Sequence, residues 1–188
     1  MTHNLALFAL TWRLRIAAMA LAVAGSWCTA SQVQAQGQGF EVKPWSARTR
    51  MPVVEMTDLS GQAWRLTDLR GKAVLINFWA SWCEPCRTEM PSLQALAQSQ
   101  GSGKVVVLTI NFKEPPALAA QFAQRTGLTL PVIADPQGAL ARQWGITVFP
   151  STVLVGSDGR VRAVVRGEVD WLGAQAAAMW RPLLKVDR

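Results

Sequence analysis

Histidine is almost absent from this chain. Its single histidine, His3, lies in the N-terminal segment that is interpreted below as a leader. A Ser–His–Asp triad, histidine acid–base catalysis and a histidine-ligated metal site each need an imidazole. These chemistries are therefore excluded for the rest of the sequence, and sulfur and carboxylates remain as its reactive groups.

Cysteine is also scarce, with Cys28, Cys83 and Cys86 as the three examples. Cys28 falls in the leader. The bulky Trp27 directly before it makes Cys28 a poor candidate for a lipoprotein cysteine. A structural zinc site needs four ligands, usually cysteine and histidine. Beyond the leader only two cysteines remain, so this pair is interpreted as a disulfide rather than as a zinc site.

Charge is modest and dispersed. Charged residues make up 16% of the sequence, and the net charge is +7. The basic residues form no dense run, so a solvated face is a better interpretation than a nucleic-acid surface.

The N-terminus has the pattern of a secretory signal. Arg13 and Arg15 precede an apolar stretch at 16–25, and Val33-Gln34-Ala35 has small residues at the positions that a cleavage site requires. We therefore predict a signal peptide at 1–35 and a periplasmic protein. The alternative is an uncleaved anchor facing the periplasm, because 5–10 is also apolar, but the arginines interrupt it and the remaining run is short for a membrane span of about 20 residues.

The chain is organised around the run WCEPC at 82–86. It follows an apolar stretch predicted to be a buried strand (73–78) and opens a predicted helix (83–100). A helix N-terminus presents unpaired N–H groups and the positive end of the helix dipole, so it favours a thiolate on Cys83. Cys86 lies one turn further on the same side and can close a disulfide. A purely structural disulfide usually joins more distant segments, so the pattern favours a redox-active pair.

The remaining pattern predicts one α/β domain at 52–188, preceded by a flexible lead-in at 36–51. Segments 52–58 and 62–66 flank Ser60-Gly61 and predict a β-hairpin. Further strands are predicted at 105–110, within 146–155 and at 161–166, with a short extended stretch at 130–134. Helices are predicted at 116–125, 139–144 and 170–184. The order predicts a sandwich with a central mixed sheet flanked by helices and an N-terminal hairpin extension.

These motifs resemble the thioredoxin fold, specifically the TlpA/ResA/CcmG (DsbE) group of exported thiol–disulfide oxidoreductases. The resemblance rests on LRGK at 69–72, NFWASWCEPCRTEMP at 77–91, FPST at 149–152 and DG at 158–159. It covers 52–184. A lone Cys-x-x-Cys would be far less specific.

The resemblance implies roles for particular residues. Cys83 would attack a target disulfide, and Cys86 would resolve the mixed disulfide. Pro150 matches the family's cis-proline, which would expose the backbone of Phe149 for pairing with a partner peptide. We expect Trp82 to be exposed and to face partners, and the predicted substrate-binding residues are Trp82, Pro85, Phe149 and Pro150.

Acidic residues near the dithiol are the candidate proton carriers. Thioredoxin has a buried aspartate where this chain has Asn77, which cannot accept a proton. Glu114 follows the second central strand, where the family's buried acid would lie, and could carry the proton of Cys86. The alternative is a solvated loop charge that caps the next helix. Glu89 is a second candidate, although it could simply interact with the helix dipole. Glu84 is a third; it disfavours a thiolate on Cys83, while Arg87 favours one.

The leading hypothesis is a periplasmic protein-disulfide reductase. The resemblance implies apocytochrome c or copper-site proteins as substrates and a membrane electron donor of the DsbD/CcdA type. We expect no cofactor, no metal, no nucleic-acid partner and a monomer. One alternative is an oxidant of folding proteins. A copper metallochaperone would usually add a histidine to the thiolates, and a peroxiredoxin would have Thr or Ser in place of Ala80 and lack Cys86.

Overall fold

The computed structural model describes residues 39–46, 51–52, 55–99 and 103–185. The strands in chain order are β1 (Phe40–Pro44), β2 (Glu55–Thr57), β3 (Ala63–Arg65), β4 (Ala73–Trp79), β5 (Val105–Phe112), β6 (Val132–Asp135), β7 (Ser151–Val155) and β8 (Val161–Gly167). The α-helices are α1 (Glu84–Ser99), α2 (Pro116–Thr126), α3 (Ala139–Gln143) and α4 (Ala174–Trp180). Two short 3-10 helices span Leu66–Leu69 and Arg181–Leu184. The predicted leader and Cys28 lie outside the described residues.

The central sheet has the strand order β1-β8-β7-β4-β5-β6. β4 pairs in parallel with β5, and β5 with β6, whereas β4–β7, β7–β8 and β8–β1 are antiparallel. The sheet is therefore mixed, as predicted, and helices flank it. The carboxyl end of β4 is the end that leads into α1 and the two cysteines.

β4 is buried along its whole length because both faces of the sheet are covered. Successive side chains in a strand point to opposite faces. Leu75 and Trp79 accordingly join a core with α1, α2 and α4, and Ile76 and Phe78 join a second core with α3 and the hairpin. This double burial explains why the strand has a continuous apolar sequence.

The predicted N-terminal hairpin is present and shorter than expected. β2 and β3 form a separate two-stranded sheet, with Met56 opposite Trp64. The hairpin lies over the outer strand of the main sheet, because Asp58 forms a bridge with Ile133 and the Leu59 N–H donates to the Val132 carbonyl at 2.8 Å. The edge of β6 is therefore covered.

The prediction of a flexible lead-in is wrong for Phe40–Pro44, which forms β1 at the other edge of the sheet. Phe40 pairs with Gly167 and Pro44 with Ala163. The sequence FEVKP alternates apolar and polar residues, but the strand is exposed apart from partly buried Phe40. It forms because β8 offers an open backbone edge more than a hundred residues away in sequence, and an alternation over five residues does not identify so distant a partner.

The last helix begins later than predicted. The sequence predicts a start at residue 170, whereas α4 begins at Ala174. Asp170 instead forms a turn, in which its carboxylate accepts from the Leu172 N–H at 3.1 Å and its carbonyl accepts from the Gly173 N–H at 3.0 Å. Aspartate often stabilises turns through such short-range bonds.

All described elements belong to one compact unit, Gln38–Arg188. Both cores and all six strands of the main sheet lie inside it. Because it contains a complete hydrophobic core and sheet, this unit can fold on its own. Among the described helices, none has the length and hydropathy needed to cross a membrane.

A substitution at Gly167 tests how closely β1 packs against β8. Its φ is +102°, and a Cβ there would collide with the Gly39 carbonyl oxygen and lie 2.9 Å from the Phe40 Cα. Gly61, with φ +89° and no atom within 4 Å of such a Cβ, is the matched control. We expect Gly61→Ala to lower the free energy of unfolding by about 1–2 kcal/mol and Gly167→Ala by about 1–3 kcal/mol more, since backbone cannot yield easily. Urea unfolding measures both, and equal losses would contradict close packing at Gly167.

Candidate active site

The two cysteines form a disulfide at the junction of β4 and α1. The Sγ–Sγ distance is 2.04 Å and the Cα–Cα distance is 5.3 Å. Cys83 immediately precedes α1, and its carbonyl accepts the helical hydrogen bond from the Arg87 N–H at 3.2 Å. Cys83 is 6% exposed and Cys86 is fully buried. An incoming sulfur can therefore reach Cys83 more easily than Cys86.

The charged residues around the disulfide neutralise one another. Glu84 and Arg87 form an exposed ion pair at 2.9 Å. The sequence alone could not rank their opposite effects on a Cys83 thiolate. The ion pair means that the two charges act on the thiolate together and oppose each other. Pro85 is half-buried in the first turn of α1, where its missing N–H costs no helical hydrogen bond.

Glu89 lies one turn beyond Cys86 and is buried, with 2% exposure. Its Oε1 accepts from Asn77 Nδ2 at 2.6 Å, and its Oε2 accepts from the Val169 N–H at 3.2 Å. Asn77 Nδ2 also donates to Thr152 Oγ1 at 3.0 Å. The carboxyl therefore joins α1 to β4 and to the segment after β8. Glu89 is therefore held by specific hydrogen bonds, and not by an interaction with the helix dipole alone.

Burial raises the pKa of Glu89 to about 8, although the hydrogen bonds from Val169 and Asn77 act in the opposite direction. The nearby negative charge of Glu168 adds to the increase. A carboxyl with such a pKa is mostly protonated at neutral pH and close in proton affinity to an ordinary thiol.

Glu114 is also buried, so its interpretation as a solvated charge is wrong. It is 5% exposed and accepts three hydrogen bonds: Oε2 from the Ser81 N–H at 2.8 Å and from Asn111 Nδ2 at 2.6 Å, and Oε1 from the Ser81 hydroxyl at 2.5 Å. The carboxylate fixes the loop that precedes Cys83. It does not cap α2, since no side chain caps that helix. Its role as a proton carrier stays a prediction.

An aromatic surface lies beside the disulfide. Trp82 is 65% exposed, as expected, and makes an edge-to-face contact with Phe149 at 6.4 Å between ring centroids. Phe149 in turn packs on Phe112 at 4.5 Å. The Phe149–Pro150 peptide bond is cis, as the resemblance implied, and Pro150 is buried. Trp79 by contrast is fully buried against Phe122.

Several residues of the site escaped the sequence analysis. They are Ser81, Asn111 and Val169, which donate to the two buried carboxyls, and Thr152, which accepts from the Asn77 amide. A signal exists for Asn111, because it is a polar residue inside an apolar strand and buried polar groups need partners. A signal also exists for the burial of Glu89, which lies three residues after Cys86 and four before Leu93, on the apolar face of α1.

Comparison with known proteins agrees with this geometry. A family model described as the AhpC/TSA family matches residues 47–164. The thiol-disulfide oxidoreductase ResA of Geobacillus thermodenitrificans is 38% identical over 116 residues, which cover 62% of this chain and 67% of that protein.

Solved structures show the same likeness. A secreted thiol-disulfide isomerase from Corynebacterium glutamicum has a TM-score of 0.66 and 26% identity, over 80% of this chain and 94% of that chain. A thiol:disulfide interchange protein of the thioredoxin family from Chlorobium tepidum has a TM-score of 0.64 and 25% identity, over 75% of this chain and all (100%) of that chain. The fold is thioredoxin-like.

The raised pKa of Glu89 predicts a pH-dependent stability. Between 4.5, its ordinary pKa, and about 8, the folded chain keeps the proton that the unfolded chain releases. The unfolded state then binds fewer protons, so the free energy of unfolding falls as pH rises, by at most about 1.4 kcal/mol per pH unit. We expect Glu89→Gln to remove this slope and Glu84→Gln, at an exposed position, to keep it. Urea unfolding of the oxidised unit across this window provides the measurement; identical slopes in wild type and Glu89→Gln would contradict the buried neutral carboxyl.

Proposed function

The chain belongs to the AhpC/TSA family and is a thiol–disulfide oxidoreductase of the ResA/DsbE type, and we propose that it works as a reductase of disulfides in exported partner proteins. The observation that carries this proposal is the arrangement of the pair. Cys83 keeps 6% exposure at the start of a helix, whereas Cys86 is fully buried, one helical turn before a buried carboxyl. Such a pair suits an attacking and a resolving thiol.

The proposed reaction transfers two electrons from the dithiol to the partner. The Cys83 thiolate attacks one sulfur of the partner disulfide, forms a mixed disulfide and displaces the other partner sulfur as a thiolate. The Cys86 thiolate then attacks Cys83 Sγ, forms the internal disulfide and releases the second partner sulfur. A donor of two electrons must afterwards regenerate the dithiol, and a membrane protein of the DsbD/CcdA type would meet this need.

Glu89 is the carboxyl we propose as the proton carrier of Cys86. Bulk water cannot reach Cys86, which is fully buried, so the proton of its thiol needs an acceptor within the protein. Glu89 is one helical turn away, and its pKa is raised to about 8 by burial. Its ionised form can take the proton from Cys86 and its neutral form can return one, at little cost in free energy.

The partner is proposed to bind along the aromatic surface next to Cys83. Trp82, Phe149 and Pro85 offer apolar contact, and Pro150 holds the chain so that an extended peptide can pair with the backbone before it. Apolar side chains beside the partner's cysteines suit this surface. Apocytochrome c and copper-site proteins, each carrying paired cysteines, are the substrates that the resemblance supports.

Export through the predicted signal at 1–35 supports a periplasmic site of action. The C. glutamicum relative is described as secreted, which supports export.

Substitution of each cysteine separates the two steps. In the reduced unit Gln38–Arg188, Cys83→Ser should abolish reduction of insulin disulfides, because the accessible nucleophile is lost. Cys86→Ser should retain the attack and accumulate a mixed disulfide, visible by non-reducing electrophoresis. Full activity of Cys83→Ser would refute the assignment.

The direction of electron transfer is tested by the reduction potential of the wild-type unit, measured by equilibration with dithiothreitol or glutathione. A potential near about −270 mV supports a reductase, and one near about −120 mV makes the protein an oxidant.

The proposed role of Glu89 is tested by kinetics. The rate at which Cys86 resolves a preformed mixed disulfide on Cys83 should rise with pH through about 8 in the wild type. Glu89→Gln should slow this step by about 100-fold or more across this pH range. Glu84→Gln is the matched control and should keep the wild-type rate. Stopped-flow tryptophan emission follows the step, and a wild-type rate in Glu89→Gln would exclude Glu89 as the carrier.

A further inference from the structure

Lys113 has an uncommon backbone conformation beside the aromatic surface. It directly follows β5, and with a φ of +51° it is the one residue other than glycine that has a positive φ among the described residues. Its N–H donates to the Asp135 carbonyl at 2.9 Å, so the neighbouring strand fixes this conformation. A left-handed backbone is unfavourable for lysine, whereas glycine adopts it freely. An outlier of this kind points to a role for the side chain.

The Lys113 side chain lies at the end of the aromatic surface. Its Nζ is 5.2 Å from the centroid of the Phe112 ring, as in a cation–π contact. Phe112 packs on Phe149, whose ring contacts Trp82. Since Trp82 directly precedes Cys83, a row of rings leads from the lysine to the reactive cysteine. The three contacts in series bridge at most about 16 Å, which is the length of about five residues of an extended chain.

Arg142 brings a second positive charge to the same place. It lies in α3, and its Nη1 donates to the Gln137 carbonyl at 2.6 Å. A Cβ on Gly138 would lie 3.1 Å from Lys113 Cε and 3.5 Å from Arg142 Nη1. Glycine at this position therefore leaves room for both side chains, which are neighbours there. Lys113 and Arg142, which we call the cationic pair, are both exposed, so an anion can reach them from solvent.

The charge of the cationic pair is not neutralised. Neither residue forms an ion pair in the part of the chain that the structure describes. The two acids nearest to them in the sequence bind other groups. The Glu114 carboxylate accepts from Ser81 and Asn111, and the Asp135 carboxylate accepts from N–H groups in the first turn of α3. Two like charges repel each other, whereas a carboxylate placed between them is attracted by both.

We propose that the cationic pair binds an acidic side chain of the partner protein, so that the preferred partner carries Asp or Glu within about five residues of its reactive cysteine. This inference rests on the proposed function, because it describes the partner on which the cysteines act. Apolar side chains of the partner contact Trp82, Phe149 and Val148, which is 47% exposed, and the acidic side chain reaches the cationic pair. Charge complementarity at the border of an apolar contact selects among partners and speeds their association.

Reduction of model peptides tests this preference. The probes are peptides with one internal disulfide, Leu beside the reactive cysteine, and either Glu or Gln at about four residues from it on each side. We expect the reduced unit Gln38–Arg188 to reduce the Glu peptide about three- to fivefold faster than the Gln peptide at low salt, as a second-order rate constant, because exposed ion pairs contribute modestly. This ratio should fall below about twofold at about 0.5 M salt, where the charges are screened.

Variants of the cationic pair show where the preference arises. Lys113→Gln with Arg142→Gln should bring the ratio to about one, and Lys113→Glu with Arg142→Glu should invert it, which a purely structural role would not do. The matched control is Lys104→Gln with Lys185→Gln. It removes two other exposed charges, and Lys104 precedes β5 at the end opposite to Lys113, so this variant should keep the wild-type ratio.

Two kinetic results would overturn the proposal. One is an equal rate for the two peptides in the wild type, or a wild-type ratio in the double Gln variant of the cationic pair. The other is an equal loss of preference in the control variant, which would attribute the preference to net charge.

Binding without electron transfer separates this proposal from the reductase assignment. Versions of the two peptides with Ser in place of Cys can bind but cannot exchange disulfides. In NMR titrations of the oxidised unit, the Glu version should shift the amide signals of Lys113 and Arg142 and bind about threefold more tightly than the Gln version. Equal binding of both would overturn the acidic partner. A clear preference for the Glu version without reduction of the cysteine peptides would overturn the reductase and support the cationic pair as a binding site.

Discussion

The buried hydrogen bond between Asn77 and Glu89 is the constraint on which the site depends. It joins the central strand β4 to α1 directly below the cysteines, and Val169 extends the connection to the segment after β8. A carboxyl held in this way is mostly protonated at physiological pH because burial outweighs its hydrogen bonds. The same contact positions the helix that carries Cys86 and places there the carboxyl that we propose as its proton carrier.

A second carboxylate has a complementary structural task. Glu114 fixes the loop before Cys83 through the backbone and hydroxyl of Ser81. Glu114 therefore fixes the loop before Cys83, and Glu89 fixes the helix that follows it. Two buried acids thus hold the site together, each through hydrogen bonds to a different set of segments.

Much of this was readable from the sequence because it is encoded locally. The apolar runs of β4 and β5, the Asp158-Gly159 turn and the Cys83–Cys86 motif each carry their own pattern. β1 was not predicted, since its alternation of apolar and polar residues extends over only five positions and its pairing with β8 is long-range. The partners of Glu89 and Glu114 come from three or more separate segments, so only the folded chain identifies them.

Phe149 gives the aromatic surface an unusual connection to the interior. It packs against the apolar clusters on both faces of the sheet, while its ring also touches exposed Trp82. A partner that rests on Phe149 therefore contacts the two hydrophobic cores through one side chain. A partner that binds only the folded domain raises its free energy of unfolding, so an occupied surface would make the whole domain harder to unfold and slower to digest by proteases.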